Sequence, residues 1–167
     1  SDGSSLIKVR SEIINNSNNQ IHTVVANVGN GKGSPEGVQV ADEWDFSWRI
    51  NFETGQNACR VFAEDLKKSK GSLLFISSIA GIENVGAPVS YSVAKSALVS
   101  YTKMLSHKLA PEVRVNVIAP GNIWTPGGTW DLKQSENPES VKKMLMEKVP
   151  LQRFGKPEEV ANLIVFL

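Results

Sequence analysis

Short apolar runs alternate with stretches of helical period along this chain, and no other feature constrains the fold as much. Ile21–Ala26 (IHTVVA), Ser72–Ser77 (SLLFIS) and Val113–Ala119 (VRVNVIA) have strand length and are rich in aliphatic residues. Around them, apolar positions recur every three to four residues, as on one face of a helix. Strand and helix in alternation is the pattern of a parallel sheet built from βα units. The chain therefore reads as α/β.

The spacing predicts a helix over Ser4–Asn15, capped by Asp2, with Leu6, Val9, Ile13 and Ile14 on one face. The Asn-rich stretch Asn15–Gln20 is a turn. One unbroken helix is expected from Ala41 to Lys68, because Trp44, Trp48, Phe52, Cys59, Phe62 and Leu66 form a single stripe. Its aromatic part, Trp44–Phe62, is expected to be core on one side and a subunit contact on the other. Gly71 is expected to end this helix, and a second long helix runs from Ser90 to Ala110, before Pro111. Asn137-Pro138-Glu139 opens a helix reaching Lys148, and Pro157 with Glu158 and Glu159 opens a last one through Val160, Leu163, Ile164 and Leu167. Gly29–Gly37, Gly81–Pro88 and Gly121–Gly128 are loops by their glycines and prolines. Three strands make a small parallel sheet, so residues 1–167 are expected to form a single partial domain of a larger fold.

Composition narrows the function classes. Eighteen Lys and Arg against seventeen Asp and Glu leave a net charge of +1, which marks no nucleic-acid surface. Lys67, Lys68 and Lys70 read as a solvated helix end. Cys59 is the single cysteine, which excludes an intrachain disulfide and a cysteine metal cluster, and it reads as core. His22 and His107 form no ligand motif, so no metal site is expected. No apolar run approaches the roughly 20 residues that span a bilayer, and Ser1–Ser5 has no leader pattern. The expectation is a soluble, cytoplasmic protein with neither a membrane nor a nucleic-acid partner.

Tyr91 and Lys95 stand four residues apart on the second long helix and so share one face. A free phenol titrates near pH 10, too high for acid–base work at neutrality. An ammonium about 4 Å away, at an effective dielectric near 20, favours the phenolate by at most about 4 kcal/mol. Ser77-Ser78 closes a buried strand thirteen residues before Tyr91, at the end of the sheet where open α/β folds bind ligands. Either serine serves as a hydrogen-bond donor to a carbonyl oxygen, or both simply cap the strand. Ser78, His107 and Asp131 are the residue types of a hydrolase triad, but no G-x-S-x-G surrounds Ser78.

With these residues in place the chain resembles the short-chain dehydrogenase/reductase family from about Asp2 onward. Tyr91-Ser-Val-Ala-Lys95 matches the family's YxxxK, Ser78 falls at its serine and Asn51 at its helix asparagine. Ala26-Asn27-Val28-Gly29 is similar to its NNAG, with Ala and Val as departures. Pro120-Gly121-Asn122-Ile123-Trp124-Thr125 is similar to its PGxIxT, and Val149–Ala161 to its segment near the C-terminus.

The resemblance implies a Rossmann-like doubly wound parallel sheet, of which this chain covers the central and C-terminal βα units. It implies hydride transfer between NAD or NADP and a carbonyl or secondary alcohol, a 3-oxoacyl ketone being the first substrate to consider. Tyr91 would be the general acid/base, Ser78 would polarise the substrate, and Asn51 would complete the proton relay. Lys95 would hold the nicotinamide ribose and lower the Tyr91 pKa. Ile123 and Thr125, in the segment opened by Pro120 and Gly121, would meet the nicotinamide, and Asn27 and Gly29 would lie along the adenosine half. Residues 122–150, with Trp124 and Trp130, would form a substrate lid, and the two long helices would join subunits into a homodimer or homotetramer.

The family's opening strand, TGxxxGxG turn and phosphate-binding helix have no counterpart in these 167 residues. Gly29–Gly33 leads into Ser34-Pro35 rather than a helix and reads as a plain loop. The chain alone is accordingly expected to bind cofactor weakly. The alternative is a relative that keeps the fold for binding or regulation without the reaction.

Overall fold

A computed structural model describes residues 3–17, 20–34 and 36–167. The proposed cap Asp2, Asn18 and Asn19 of the Asn-rich turn, and Pro35 lie outside the described residues. The chain divides into two compact units, Ser1–Ala119 and Pro120–Leu167.

The first unit holds α1 (Gly3–Ser17), β1 (Thr23–Ala26), α2 (Ala41–Trp48), α3 (Thr54–Ser69), β2 (Ser72–Ile76), α4 (Val89–Leu109) and β3 (Arg114–Ile118). The strands lie in the order β1-β2-β3, all parallel, with Val25 opposite Leu74 and Leu74 opposite Asn116. All five residues of β2 are buried, and the four after Ser72 form the apolar run that a central parallel strand carries. Leu73 and Phe75 of β2 pack into one cluster with Cys59, Phe62 and Leu66 of α3, Leu98 of α4 and Val115 of β3; Leu6 and Ile14 of α1 close over it. Arg10 of α1 forms a two-pronged ion pair with the buried Asp65 of α3, which fixes the register between these helices.

Two departures from the sequence-based expectation have local causes. The helix from Ala41 to Lys68 is not uniform: Arg49–Glu53 forms a π turn between α2 and α3. The terminator of α3 is Lys70, in left-handed conformation at φ 52°, rather than Gly71. Gly71 N–H donates to Leu66 O at 2.8 Å, closing the helix end. A Cβ on Gly71 would fall 2.5 Å from His22 O, so the glycine answers a close strand approach and not a dihedral demand.

In the second unit Ile123 bridges Gly155, with Trp124 N–H donating to Gly155 O at 3.0 Å and Gly155 N–H to Asn122 O at 2.9 Å. Asn137 caps α6 (Pro138–Lys148) by accepting from Ser140 N–H at 3.0 Å. At the start of α7 (Pro157–Phe166) the Glu159 carboxylate accepts from the Arg153 guanidinium at 2.7 Å and from Lys156 N–H at 2.8 Å, and these bonds pull it down to about 2. Ahead of α6 stands α5 (Thr129–Glu136), a helix with no buried side chain and so no apolar stripe in its sequence. A cavity of about 780 Å³ within this unit is lined by Trp124, Pro126, Asp131, Phe154 and Lys156, among others.

Candidate active site

Asn51 is 1% exposed in the middle of the π turn. Its side-chain Nδ2 donates to Ser47 O at 3.0 Å, a carbonyl that a regular helix would offer to the backbone N–H four residues on. A side chain inserted into that ladder accounts for the π turn. The same amide donates to Asn30 O at 2.9 Å, and its Oδ1 accepts from Asn30 N–H at 2.9 Å. The glycine-rich loop after β1 is thus pinned to the helix by two bonds to one backbone unit.

Lys95, on α4, is also buried, at 4% exposure, and its Nζ donates to Ile76 O at 2.9 Å. Burial pulls its ammonium down from the usual 10.5 to about 8. A Cβ on Gly29 would fall 2.9 Å from Lys95 Nζ and 3.0 Å from Asn51 Oδ1, so Gly29 joins these two side chains at one point. Lys95 Nζ lies 5.9 Å from the centroid of the Tyr91 ring. A Cβ on Gly31 would stand 3.9 Å from Tyr91 Cζ, which puts the loop backbone at the hydroxyl end of the ring.

The two serines after β2 divide their work. Ser77 is buried and its hydroxyl donates to Lys95 O at 2.8 Å, tying the sheet to α4. Ser78 is half-buried and extended, and its Oγ accepts from Ala80 N–H at 3.2 Å, capping a short 3-10 turn over Ile79–Gly81. A Cβ on Gly81 would lie 2.7 Å from the Lys95 carbonyl carbon, so this turn sits flat on the helix at Lys95.

Asn51, Lys95, Tyr91 and Gly29 are therefore brought together within the first unit. Ser78 stands in the turn that Lys95 supports. Asn27 is exposed and lines a separate hollow of about 140 Å³ beside β1 with Leu6, Val24 and Phe62. Pro120, Gly121, Ile123 and Thr125 belong to the second unit. His107 is exposed in the last turn of α4, twelve residues or about 18 Å beyond Lys95, which removes it from a triad with Ser78. Cys59 is buried and its thiol is pushed up by burial, away from thiolate reactivity. Among the described residues no group of three His, Cys, Asp or Glu could hold a metal, and no helix is long and apolar enough to cross a membrane.

Asn30, Ser47 and Gln39 also support the site, and sequence reading missed all three. Two act through their backbone, which leaves no residue-type signal. Gln39 acts across 51 residues.

The chemistry of the residues present fits a nicotinamide dinucleotide in that a buried ammonium keeps hydrogen-bond donors to spare. Lys95 offers three donor hydrogens, of which one is spent on Ile76 O. The Cβ direction of Gly29 faces this Nζ and Asn51 Oδ1, so a side chain there would displace them.

A family model described as Enoyl-(Acyl carrier protein) reductase matches residues 3–167. The chain is 34% identical over 128 residues to the 3-oxoacyl-[acyl-carrier-protein] reductase FabG of Thermotoga maritima, covering 75% of this chain and 50% of that protein. It is 35% identical over 151 residues to a tropinone reductase homolog of Arabidopsis thaliana, covering 89% of this chain and 48% of the relative. The chain thus spans about half the length of the curated relatives it matches. A 3-oxoacyl-[acyl-carrier protein] reductase of Brucella melitensis with bound NAD superposes with a TM-score of 0.80 at 27% identity, over 99% of this chain and 60% of that one. Levodione reductase, at 22% identity, shares the fold with a TM-score of 0.88, over 99% of this chain and 66% of that one. The family match and the Rossmann-like parallel sheet together establish that this chain belongs to the short-chain dehydrogenase/reductase family and is 3-oxoacyl-reductase-like in sequence.

Proposed function

We propose that the natural protein is an oxidoreductase that interconverts a carbonyl and a secondary alcohol with NAD or NADP. The observation that carries this reading is the meeting of Tyr91, Lys95, Asn51 and Gly29 around one buried ammonium. When bound, the nicotinamide supplies or accepts the hydride.

Tyr91 donates the phenolic proton to the substrate oxygen in reduction and takes it back in oxidation. Ser78 donates a hydrogen bond to the same oxygen and stabilises the charge that builds there. The Lys95 ammonium holds the ribose hydroxyls and lends positive charge beside the phenol. Asn51, held by Asn30 and Ser47, completes the proton relay behind Lys95. A 3-oxoacyl thioester is the substrate class favoured by the FabG relatives. The half-exposed apolar side chains Phe46 of α2 and Val89 and Val93 of α4 suit a subunit contact between two copies of this chain. The single buried cysteine suits a reducing, cytoplasmic setting.

The test is a substrate panel with the natural protein. A 3-oxoacyl thioester, a cyclic ketone and a sugar are each offered with NADH and with NADPH. Loss of nicotinamide absorbance with at least one ketone is expected; no consumption across the panel overturns the reading.

A further inference from the structure

We propose that Gln39 is a positioning residue for Tyr91, holding the first turn of α4 in place from the loop that faces the phenol. This rests on the catalytic reading of Tyr91 given above.

Helix α4 begins on Pro88, which offers no side-chain cap, and its first N–H groups have no partner within the helix. Tyr91 stands in that first turn, where an uncapped helix frays. Ser90, immediately before it, is 1% exposed, and its hydroxyl has no hydrogen-bond partner. The Ser90 N–H donates instead to Gln39 Oε1 at 2.7 Å, a short bond between two buried residues 51 positions apart.

The other end of the Gln39 amide points back to its own loop and to the first turn of α2. Nε2 donates to Ser34 O at 3.3 Å and to Glu43 Oε2 at 3.3 Å. The loop is packed tightly there: a Cβ on Gly33 would fall 2.9 Å from Pro88 Cβ and 3.2 Å from Gln39 Nε2. Further along, Gly31 borders the Tyr91 ring and Asn30 is bound to Asn51. One side chain therefore clamps the turn that carries the acid/base group to the loop that lines its hydroxyl end. A general acid works only within about half an ångström of its productive position. Loss of the clamp should thus lower the chemical rate more than it weakens binding.

Gln39→Met keeps length and volume while removing the hydrogen bonds. Gln39→Glu, made in a Glu43→Gln background so that no second carboxylate faces it at 3.3 Å, keeps the acceptor for Ser90 N–H, suits a helix N-terminus, and gives up the Nε2 donor. In the natural protein, Gln39→Met should reduce kcat about 10- to 100-fold while KM and nicotinamide affinity stay within about threefold. The Ser90 amide should exchange with solvent at least about tenfold faster, while the Leu98 amide is unchanged. Gln39→Glu should recover kcat to within about threefold of the parent.

A folded Gln39→Met protein with kcat within threefold of the parent overturns the proposal. So does an unchanged Ser90 exchange rate, or a kcat loss that Gln39→Glu does not repair. Absence of turnover in the unaltered protein would overturn the catalytic reading itself, and the role of Gln39 with it; normal turnover in Gln39→Met overturns the role of Gln39 alone.

Discussion

Gly29 and Lys95 touch so closely that a Cβ on the glycine would fall 2.9 Å from the lysine Nζ. The same carbon would lie 3.0 Å from Asn51 Oδ1, so the ammonium has little room to move toward the helix. Gly29→Ala should push Lys95 Nζ off Ile76 O, because the lysine end is the more flexible partner. Nicotinamide affinity of the natural protein should fall about tenfold or more, with a loss of folding stability under about 1 kcal/mol. Titration of the nicotinamide by fluorescence, paired with urea unfolding, checks both. Unchanged affinity would show that Lys95 does not hold the ribose.

The burial of Lys95 sets a pH dependence whose sign can be worked out. Its folded value of about 8 lies below the 10.5 of an exposed lysine. Between these values the unfolded chain binds more protons than the folded one, so stability rises with pH through that window. The difference in unfolding free energy between the parent and Lys95→Met should shift toward the parent by at most about 3 kcal/mol from pH 7 to pH 10.5. Urea unfolding of both proteins at the two pH values measures it. A difference that stays flat, or moves the other way, would mean that the ammonium is not held in a desolvated position.

Asn51 makes three hydrogen bonds to main-chain groups of Asn30 and Ser47 from a fully buried position. Asn51→Leu would leave those groups without their partner in the interior, at a cost of about 2–4 kcal/mol. Asn51→Asp keeps the acceptor for Asn30 N–H and, in its neutral form, has one donor in place of two, so its binding of the loop should be intermediate. Chemical denaturation distinguishes the two. A loss below about 0.5 kcal/mol for Asn51→Leu would mean that the loop is not anchored through this side chain.

What the sequence made legible was whatever depends on local period. The four-residue spacing of Tyr91 and Lys95 does place both on one stretch of α4, and the unbroken SLLFI does form the buried central strand. Asn137 caps its helix as its type and position predict. What was hidden depends on contacts between distant segments. The π turn at Asn51 arises because an asparagine from one element binds Ser47 and Asn30 together, and apolar spacing cannot express that. The cap on α4 comes from Gln39, whose residue type gives no hint of Ser90. Lys70 takes the left-handed position that composition assigns to Gly71, because Gly71 is needed one residue later against His22 O.

The most direct test of the central claim, that Tyr91 carries the proton, is Tyr91→Phe in the natural protein. The substitution removes one hydroxyl and leaves the ring beside Gly31 and Lys95 in place. Steady-state reduction of the best ketone should fall by about 100- to 10,000-fold, with nicotinamide affinity within about threefold of the parent. Turnover within tenfold of the parent would contradict the assignment of Tyr91 as the acid/base group.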